Sequence, residues 1–554
     1  MIVAQVVGKV LAELGAETAF GVVGSGNFHL TNALVEHGVR FVAARHEGGA
    51  ATMADAYARM SGRVGVLSVH QGPGLTNAMT GLAEAAKSRT PLVVLAGEVT
   101  DPRSNFHVDQ DALARAVGAV PMRIGQARDA IEGTVEAFAT ASRDRRTVLL
   151  NLPLDVQGEI VRGEGVIVAD LLAQVVHNAK VLAGTPVGGF DVPSAVLLAE
   201  LLASARRPVF VAGRGARAAR AELEELADRT GALLATSAVA RGLFRGSPWD
   251  LDVSGGFATP LTAELIRGAD VIVGWGCALN MWTTRHGSLV GPDAKLAQVD
   301  LDTDAIGRHR SVHLGVTGDV GWTARATTAL IDTPGAGYRS PAVAARIATE
   351  GRWRQVPYSD ESGGGRIDPR TLTVGLDDLL PAERVVATDS GNFMGYPAMF
   401  LDVPDENGFC FTQAFQSIGL GLATAVGAAL ARPDRLPVAA LGDGGALMGA
   451  AELETVVRLG LPMVIVVYDD EAYGAEVHHF GPAGHPLGTV TFPPADFAAL
   501  ARGYGCAAVT VTRPEGLSGV ADWLKGPRDR PLLVHAKVTK DHASWWLEEA
   551  FRGH

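Results

Sequence analysis

The residues of this chain best placed to do chemistry are carboxylates sitting where short apolar runs break into glycine. The run Pro437-Val438-Ala439-Ala440-Leu441 ends in Gly442-Asp443-Gly444-Gly445. After a helix-like stretch from Met448 to Leu459, the run from Met463 to Tyr468 ends in Asp469-Asp470. Two parallel strands joined by a helix bring their C-terminal ends side by side, so this spacing gathers carboxylates at one sheet edge. Glycines next to Asp443 let backbone N–H groups approach a phosphate, and a helix starting nearby adds a favourable field. Carboxylates beside phosphate suit Mg²⁺, a hard cation that keeps part of its shell for phosphate and water. The chemistry read here is a metal-bridged diphosphate site. A lone Gly-Asp-Gly would be an ordinary turn; the strand, helix, strand and second acidic pair give it weight.

A second constellation lies near the N-terminus. Arg45-His46-Glu47-Gly48-Gly49 puts a carboxylate at a strand-to-helix junction, where a first-turn acid is common and needs no function. His70 opens the turn His70-Gln71-Gly72-Pro73-Gly74, with Asn77 on the helix that follows, and Ser25 sits in Gly24-Ser25-Gly26. A histidine at a strand end is as readily satisfied structure as a proton carrier. Beyond the acidic pair come Ala472-Tyr473-Gly474-Ala475-Glu476 and then His478-His479, at least one of which reads as a solvated helix face.

The elements that must position these residues alternate throughout. Val3–Leu14 and Gly48–Met60 have helical spacing, and Val64–Val69 and Pro91–Ala96 read as strands. A second alternating unit opens at Pro208-Val209-Phe210-Val211-Ala212-Gly213, and a third at Arg384-Val385-Val386-Ala387-Thr388-Asp389. The expected fold class is α/β, with three consecutive parallel-sheet domains. Their expected limits are residues 1–165, 190–333 and 369–554, with a Pro, Gly and Ser-rich linker over 334–368 and a change of character near 160–195.

Composition agrees with a globular multidomain protein: 554 residues, 47% hydrophobic and 19% charged, enough apolar content to fill several cores. The formal charge is −12, from 48 basic and 60 acidic residues, which argues against a nucleic-acid partner. The three cysteines are far apart and form no CxxC pair, as suits a reducing compartment. Met1-Ile2-Val3-Ala4-Gln5 has no basic n-region, and Lys9 and Glu13 interrupt the apolar stretch, so a signal peptide is not supported and a cytoplasmic location is expected. The longest uncharged run, Gly408–Ala431, carries Thr412, Gln413, Gln416 and Ser417 and reads as a buried strand-turn-helix, so no membrane association is expected.

Gly442 to Tyr473 resembles the thiamine-diphosphate fingerprint. Over nearly the whole length the chain resembles the acetolactate synthase large subunit and its decarboxylase relatives. The resemblance implies thiamine diphosphate and Mg²⁺, with Asp443, Asp470 and the backbone carbonyl of Ala472 as metal ligands. It implies that Gly442, Gly444, Gly445, Tyr473, Gly474 and Ala475 line the cofactor, with Gly391 and Asn392 in Asp389-Ser390-Gly391-Asn392-Phe393 as a weaker match. The family has asparagine at positions 469 and 470. Two carboxylates add negative charge beside a diphosphate, and unit charges ~4 Å apart interact by about 4 kcal/mol at an effective dielectric of ~20, much of which a divalent cation offsets.

Glu47 matches the family's catalytic glutamate, which hydrogen-bonds a ring nitrogen of the aminopyrimidine. Such a buried carboxyl is expected to have a raised pKa. Gly72 and Asn77 belong to the same cofactor-facing element. Ile418, in Gln413-Ala414-Phe415-Gln416-Ser417-Ile418-Gly419, matches the residue wedged between the cofactor rings, and Gln416 supplies a carbonyl to the aminopyrimidine. Ser25 and His70 resemble benzoylformate decarboxylase, and Glu476 matches a proton-relay glutamate of pyruvate-decarboxylase-type enzymes. His479 stands where the synthases carry a substrate-selecting tryptophan, and Asn105-Phe106-His107 where they carry a glutamine. Gly213-Arg214-Gly215 is weak evidence for FAD, and the synthase-like flavin element is missing around Cys277-Ala278-Leu279-Asn280, so FAD is disfavoured.

The activity implied is decarboxylation of a 2-oxo acid with transfer of the remaining fragment to a second carbonyl, an aldehyde or second 2-oxo acid, as in acetolactate synthase. The alternatives are non-oxidative decarboxylation with aldehyde release, a flavin-linked oxidase, and a noncatalytic relative. In the family the Glu47-type and Asp443-type domains of different subunits meet, which implies a homodimer or homotetramer.

Overall fold

The computed structural model describes residues 1–161 and 191–550, and within them the strands form three six-stranded sheets. The change of character read at 160–195, the boundaries at 165 and 190, and the last four residues lie wholly or partly outside the described residues. The first sheet contains β1 (Thr18–Gly21), β2 (Arg40–Ala43), β3 (Gly65–Val69), β4 (Leu92–Glu98), β5 (Val120–Arg123) and β6 (Thr147–Pro153). The second contains β7 (Pro208–Ala212), β8 (Leu233–Thr236), β9 (Asp250–Val253), β10 (Val271–Trp275), β11 (Lys295–Asp300) and β12 (Leu314–Thr317). The third contains β13 (Arg384–Thr388), β14 (Phe409–Phe411), β15 (Leu436–Gly442), β16 (Val464–Asp469), β17 (Ala507–Val511) and β18 (Leu532–Lys537).

Strand pairing within the sheets is parallel, as the alternating pattern implies. Strands such as β3 and β4 are buried along their whole length, which is why they read as unbroken apolar runs rather than alternating ones. The orders are β2-β1-β3-β4-β6-β5, β12-β11-β10-β7-β8-β9 and β14-β13-β15-β16-β18-β17. Each order has an inner reversal of direction: between β1 and β3, between β7 and β10, and between β13 and β15. Crevices open at such reversals, outside the C-terminal strand ends. The glycine turns singled out above follow these strands: Gly24–Gly26 after β1, His70–Gly72 after β3, Ser390–Gly391 after β13 and Gly442–Gly445 at the end of β15.

One buried apolar cluster runs from the first sheet to the third, joining Phe20 and Met53 to Val426 and Ile465. Its seam is helix Glu47–Ser61 packed across helix Gly421–Ala431. A Cβ on Gly427 would lie 2.2 Å from the Met53 carbonyl oxygen, so this crossing requires glycine. The uncharged run over Gly408–Ala431 resolves into β14, a loop and this helix, and among the described residues no helix is long and apolar enough to cross a membrane. Residues 334–368 carry helix Pro341–Glu350 and the buried side chain of Trp353.

A candidate cofactor site divided between two sheets

The first half of the site lies at the β1–β3 reversal. Glu47 is the first residue of helix Glu47–Ser61, half-buried, and accepts a hydrogen bond from Asn77 Nδ2 at 3.1 Å. Asn77 sits on helix Pro73–Lys87, whose N-cap Gly72 has φ 60° and ψ −104°, a conformation that favours glycine. A Cβ on Gly72 would also meet the Phe106 carbonyl oxygen at 2.6 Å, because the Asn105-Phe106-His107 loop lies over it.

His70 follows β3. Its Nδ1 accepts from the Gly26 N–H at 3.1 Å, and its ring meets Phe106 edge-on at 5.5 Å. With Nδ1 accepting, the ring proton resides on Nε2. Burial lowers the imidazole pKa below its ordinary value, against an opposing pull from nearby Glu47, so His70 is held neutral. Ser25, between the glycines of the facing turn, is exposed.

The second half lies at the β13–β15 reversal. A short helix, Asp443–Met448, precedes the expected one, which spans Glu452–Arg458 within the stretch Met448–Leu459. The first begins at Asp443 itself, so Gly444 and Gly445 lie in its first turn, where backbone N–H groups have no partner within the helix. Asp443 Oδ2 accepts from the Ala472 N–H at 3.1 Å. Asp470 packs so closely on the next helix, Gly474–Phe480, that a Cβ on Gly474 would lie 2.2 Å from its Oδ2. Gly444 likewise faces the Tyr473 ring, and Gly445 the Asp389 carboxylate, where added Cβ atoms would approach to 2.5 and 2.2 Å.

These glycines therefore make a cradle into which no larger residue fits. Desolvation raises both carboxyl pKa values, and repulsion adds to it, from Asp469 at Asp443 and from Asp443 and then Asp469 at Asp470. Two buried acids facing each other with no basic side chain between them suit a divalent cation. Among the described residues no group of three or more His, Cys, Asp or Glu side chains forms a metal site, so an ion here would draw on backbone, water or phosphate oxygens as Mg²⁺ does. The donor set fits that ion.

Asp389 is buried and ties the neighbouring loop in place. Its carboxylate accepts from the Ser390 N–H at 2.8 Å and the Gly419 N–H at 2.9 Å, and burial raises its pKa to about 6. The loop so held carries Gln416, at φ 61°, and the half-buried Ile418. Asn392 is fixed by the C-terminal segment: Ser544 N–H donates to its Oδ1 at 3.0 Å and Trp546 Nε1 to its carbonyl at 2.9 Å. Glu476 is exposed, and His478 and His479 are half-buried on helix Gly474–Phe480.

Several positioning residues escaped the sequence reading because their partners are remote in sequence. Glu452 accepts from the backbone N–H groups of Arg45 and His46 at 3.0 and 3.1 Å, docking the Glu47 helix start onto the third sheet's unit. Glu84 accepts from Arg59 and from the Ala414 and Phe415 N–H groups at 2.7, 3.0 and 2.6 Å. Asp469 is bound by His535 at 2.7 Å. Within the described residues no hydrogen bond or ion pair joins Glu47, His70 or Asn77 to Asp443, Asp470 or Ala472. At the equivalent reversal of the second sheet the loops touch instead: a Cβ on Gly213 would lie 2.2 Å from the Gly276 carbonyl oxygen.

Three family models match: the N-terminal TPP binding domain of thiamine pyrophosphate enzymes over residues 1–148, the central domain over 197–327 and the C-terminal TPP binding domain over 389–536. A probable 2-ketoarginine decarboxylase of Pseudomonas aeruginosa is 30% identical over 537 residues, 93% of this chain and 89% of the relative. The acetolactate synthase isozyme 2 large subunit of Escherichia coli is 28% identical, covering 98% and 97%. The thiamine diphosphate-dependent 4-hydroxybenzoylformate decarboxylase of Rhodococcus jostii shares the fold at a TM-score of 0.79 and 23% identity, over 98% of this chain and 100% of that one. With matches in each of its three sheets and a relative aligned along nearly its full length, the chain belongs to the thiamine pyrophosphate enzyme family.

Proposed function

We propose that this protein uses thiamine diphosphate and Mg²⁺ to decarboxylate a 2-oxo acid and release the aldehyde. Asp443 and Asp470 hold the metal through their side chains and Ala472 through its carbonyl. The first-turn amides of Gly444 and Gly445 bind the diphosphate, with Gly391, Asn392 and Tyr473–Ala475 closing around it. Glu47, oriented by Asn77, holds and exchanges a proton with the aminopyrimidine, which Ile418 and the Gln416 carbonyl keep in position. Bound thiamine diphosphate supplies the electron sink that makes loss of CO₂ feasible.

The observation that carries the choice of aldehyde release is the setting of His70. Kept neutral beside Glu47, with its proton on Nε2, it is a hydrogen-bond donor for an incoming carboxylate or keto oxygen; on taking up a second proton from solvent it delivers one to the product carbon and returns to the neutral form. Ser25 and Glu476 extend the proton path. Transfer to a second carbonyl remains the second reading, favoured by the acetolactate synthase relative. The test is incubation of the cofactor-loaded protein with 2-oxo acids including pyruvate, 2-ketoarginine and 4-hydroxybenzoylformate, with and without acceptor aldehydes, and products resolved by mass. Free aldehyde supports the first reading and a 2-hydroxy ketone the second; no consumption of any 2-oxo acid by a protein that binds cofactor refutes both.

A second copy of the chain completes the site. Exposed apolar side chains flank both halves: Phe28 and Phe106 beside the first, Phe415, Leu447 and Met448 beside the second, each 44–55% exposed. Apolar surface gathered at polar clefts marks an interface. Sedimentation at increasing protein concentration should show a dimer or tetramer; a monomer with full activity refutes the shared site.

A further inference from the structure

The acidic stretch Asp469-Asp470-Glu471 is divided in its work. Glu471 takes a left-handed conformation, φ 60°, and is anchored by Arg366 at 2.6 Å and Lys540 at 3.0 Å. Asp469, 1% exposed, uses both oxygens: Oδ1 accepts from the Glu471 N–H at 3.1 Å, and Oδ2 meets Nε2 of His535, 2% exposed, at 2.7 Å. His535 lies on β18, directly beside β16 in parallel register, with Val467 opposite His535. Asp470, between these two anchors, has no basic partner among the described residues.

We infer that His535 is a positioning residue that aims Asp470 at the metal by holding Asp469, and that His535 and Asp469 require each other; this rests on the reading of Asp470 as a metal ligand. Asparagine, which the family pattern has at position 469, offers one acceptor oxygen and an NH₂. It can serve the Glu471 N–H or the His535 Nε2–H, and then sets its own NH₂ against the other donor. The alternative imidazole tautomer relieves that clash by moving the proton to Nδ1, but among the described residues Nδ1 is buried without a hydrogen-bond partner, so an unpaired N–H results. The carboxylate at 469 is thus the acceptor set that a buried histidine at 535 demands. The charge it adds next to a diphosphate is stabilised locally by two hydrogen bonds, from the Glu471 N–H and from His535.

The experiment is Mg²⁺ titration at saturating thiamine diphosphate, followed calorimetrically, on the full-length protein. Loss of one charge-assisted bond leaves the metal-competent loop less populated and weakens apparent affinity by that fraction. Asp469→Asn and His535→Leu should each raise the apparent Kd for Mg²⁺ roughly 10- to 100-fold. His535→Gln, whose amide N–H can replace Nε2–H, should stay within about 3-fold of the parent protein. The double variant Asp469→Asn/His535→Leu should recover to within about 10-fold, because asparagine then has only the Glu471 N–H to serve. Single variants with unchanged Mg²⁺ affinity, or a double variant showing the summed loss, overturn the inference. A lowered melting midpoint of the metal-free protein with unchanged Mg²⁺ affinity assigns the pair to packing alone and also refutes it. If the parent protein binds neither Mg²⁺ nor thiamine diphosphate, the metal reading itself falls and takes the inference with it; binding by the parent with insensitive variants overturns only the inference.

Discussion

Replacing Glu84 by glutamine tests how the first sheet's unit holds the loop bearing Gln416 and Ile418. The carboxylate is fully buried, and its Oε1 accepts from Arg59 Nη2 at 2.7 Å and the Ala414 N–H at 3.0 Å, while Oε2 accepts from the Phe415 N–H at 2.6 Å. Glutamine keeps the first oxygen and turns an NH₂ toward Phe415, donor against donor. Arg59 retains Asp55, at 2.7 Å, but loses half of its buried countercharge. One charge-assisted bond is worth about 1.5–3 kcal/mol and an orphaned buried amide costs about 1–3 kcal/mol, so a loss near 3 kcal/mol is expected. Glu84→Ala should reach the roughly 3–5 kcal/mol that breaking a buried ion pair costs.

If that energy is released locally, the loop's open fraction rises about 150-fold. The assay is amide hydrogen exchange over residues 412–420, with thiamine diphosphate affinity measured in parallel. Exchange should accelerate by about two orders of magnitude and affinity should fall. Burial raises the Glu84 carboxyl pKa, but Arg59 and the two amides outweigh it and the net shift is downward. Its stabilisation is therefore present above the ordinary glutamate range and lost as pH falls through the lowered folded value, an acid step that Glu84→Gln should lack. Exchange within about 3-fold of the parent, together with unaltered cofactor affinity, would mean that Glu84 does not hold this loop.

Other outcomes follow from the same geometry. Glu47→Ala should abolish turnover while cofactor affinity, measured calorimetrically, stays within a few-fold; a near-parental rate removes its proton role. Asp470→Asn removes like-charge repulsion with Asp443 and should bind Mg²⁺ and thiamine diphosphate at least as tightly as the parent, so a large loss of affinity contradicts the charge argument. His70 has a depressed folded pKa, so its neutral form stabilises the fold above pH ~6.5 and that contribution is lost as pH falls through the folded value. The stability–pH slope of His70→Gln should be shallower just below pH 6.5 when followed by thermal melting; an identical slope means His70 titrates as it does unfolded.

Local patterning was enough to read most of the elements. Buried parallel strands are unbroken apolar runs, and the glycine turns at their ends mark where backbone must approach something closely. This is why β1, β3, β13, β15 and β16 and their carboxylates were legible. The helix expected over Met448–Leu459 is there as Glu452–Arg458, but the one before it, Asp443–Met448, is not legible because Gly444 and Gly445 read as a turn. In the structure a helix starts at Asp443, close against Asp389 and Tyr473, and packing overrides the low helix propensity of glycine.

Long-range pairing was not legible. Nothing near Glu84 in the sequence predicts that it binds Ala414 and Phe415, or near Glu452 that it binds the Arg45 and His46 N–H groups ahead of the Glu47 helix. His535 carries no motif at all; its role exists only because β18 lies against β16. Residue type and local spacing determine which groups can bind a metal, carry a proton or admit a phosphate. Which carboxylate is spent on holding the scaffold and which is left for chemistry is decided by neighbours that only the folded sheets bring within hydrogen-bonding reach.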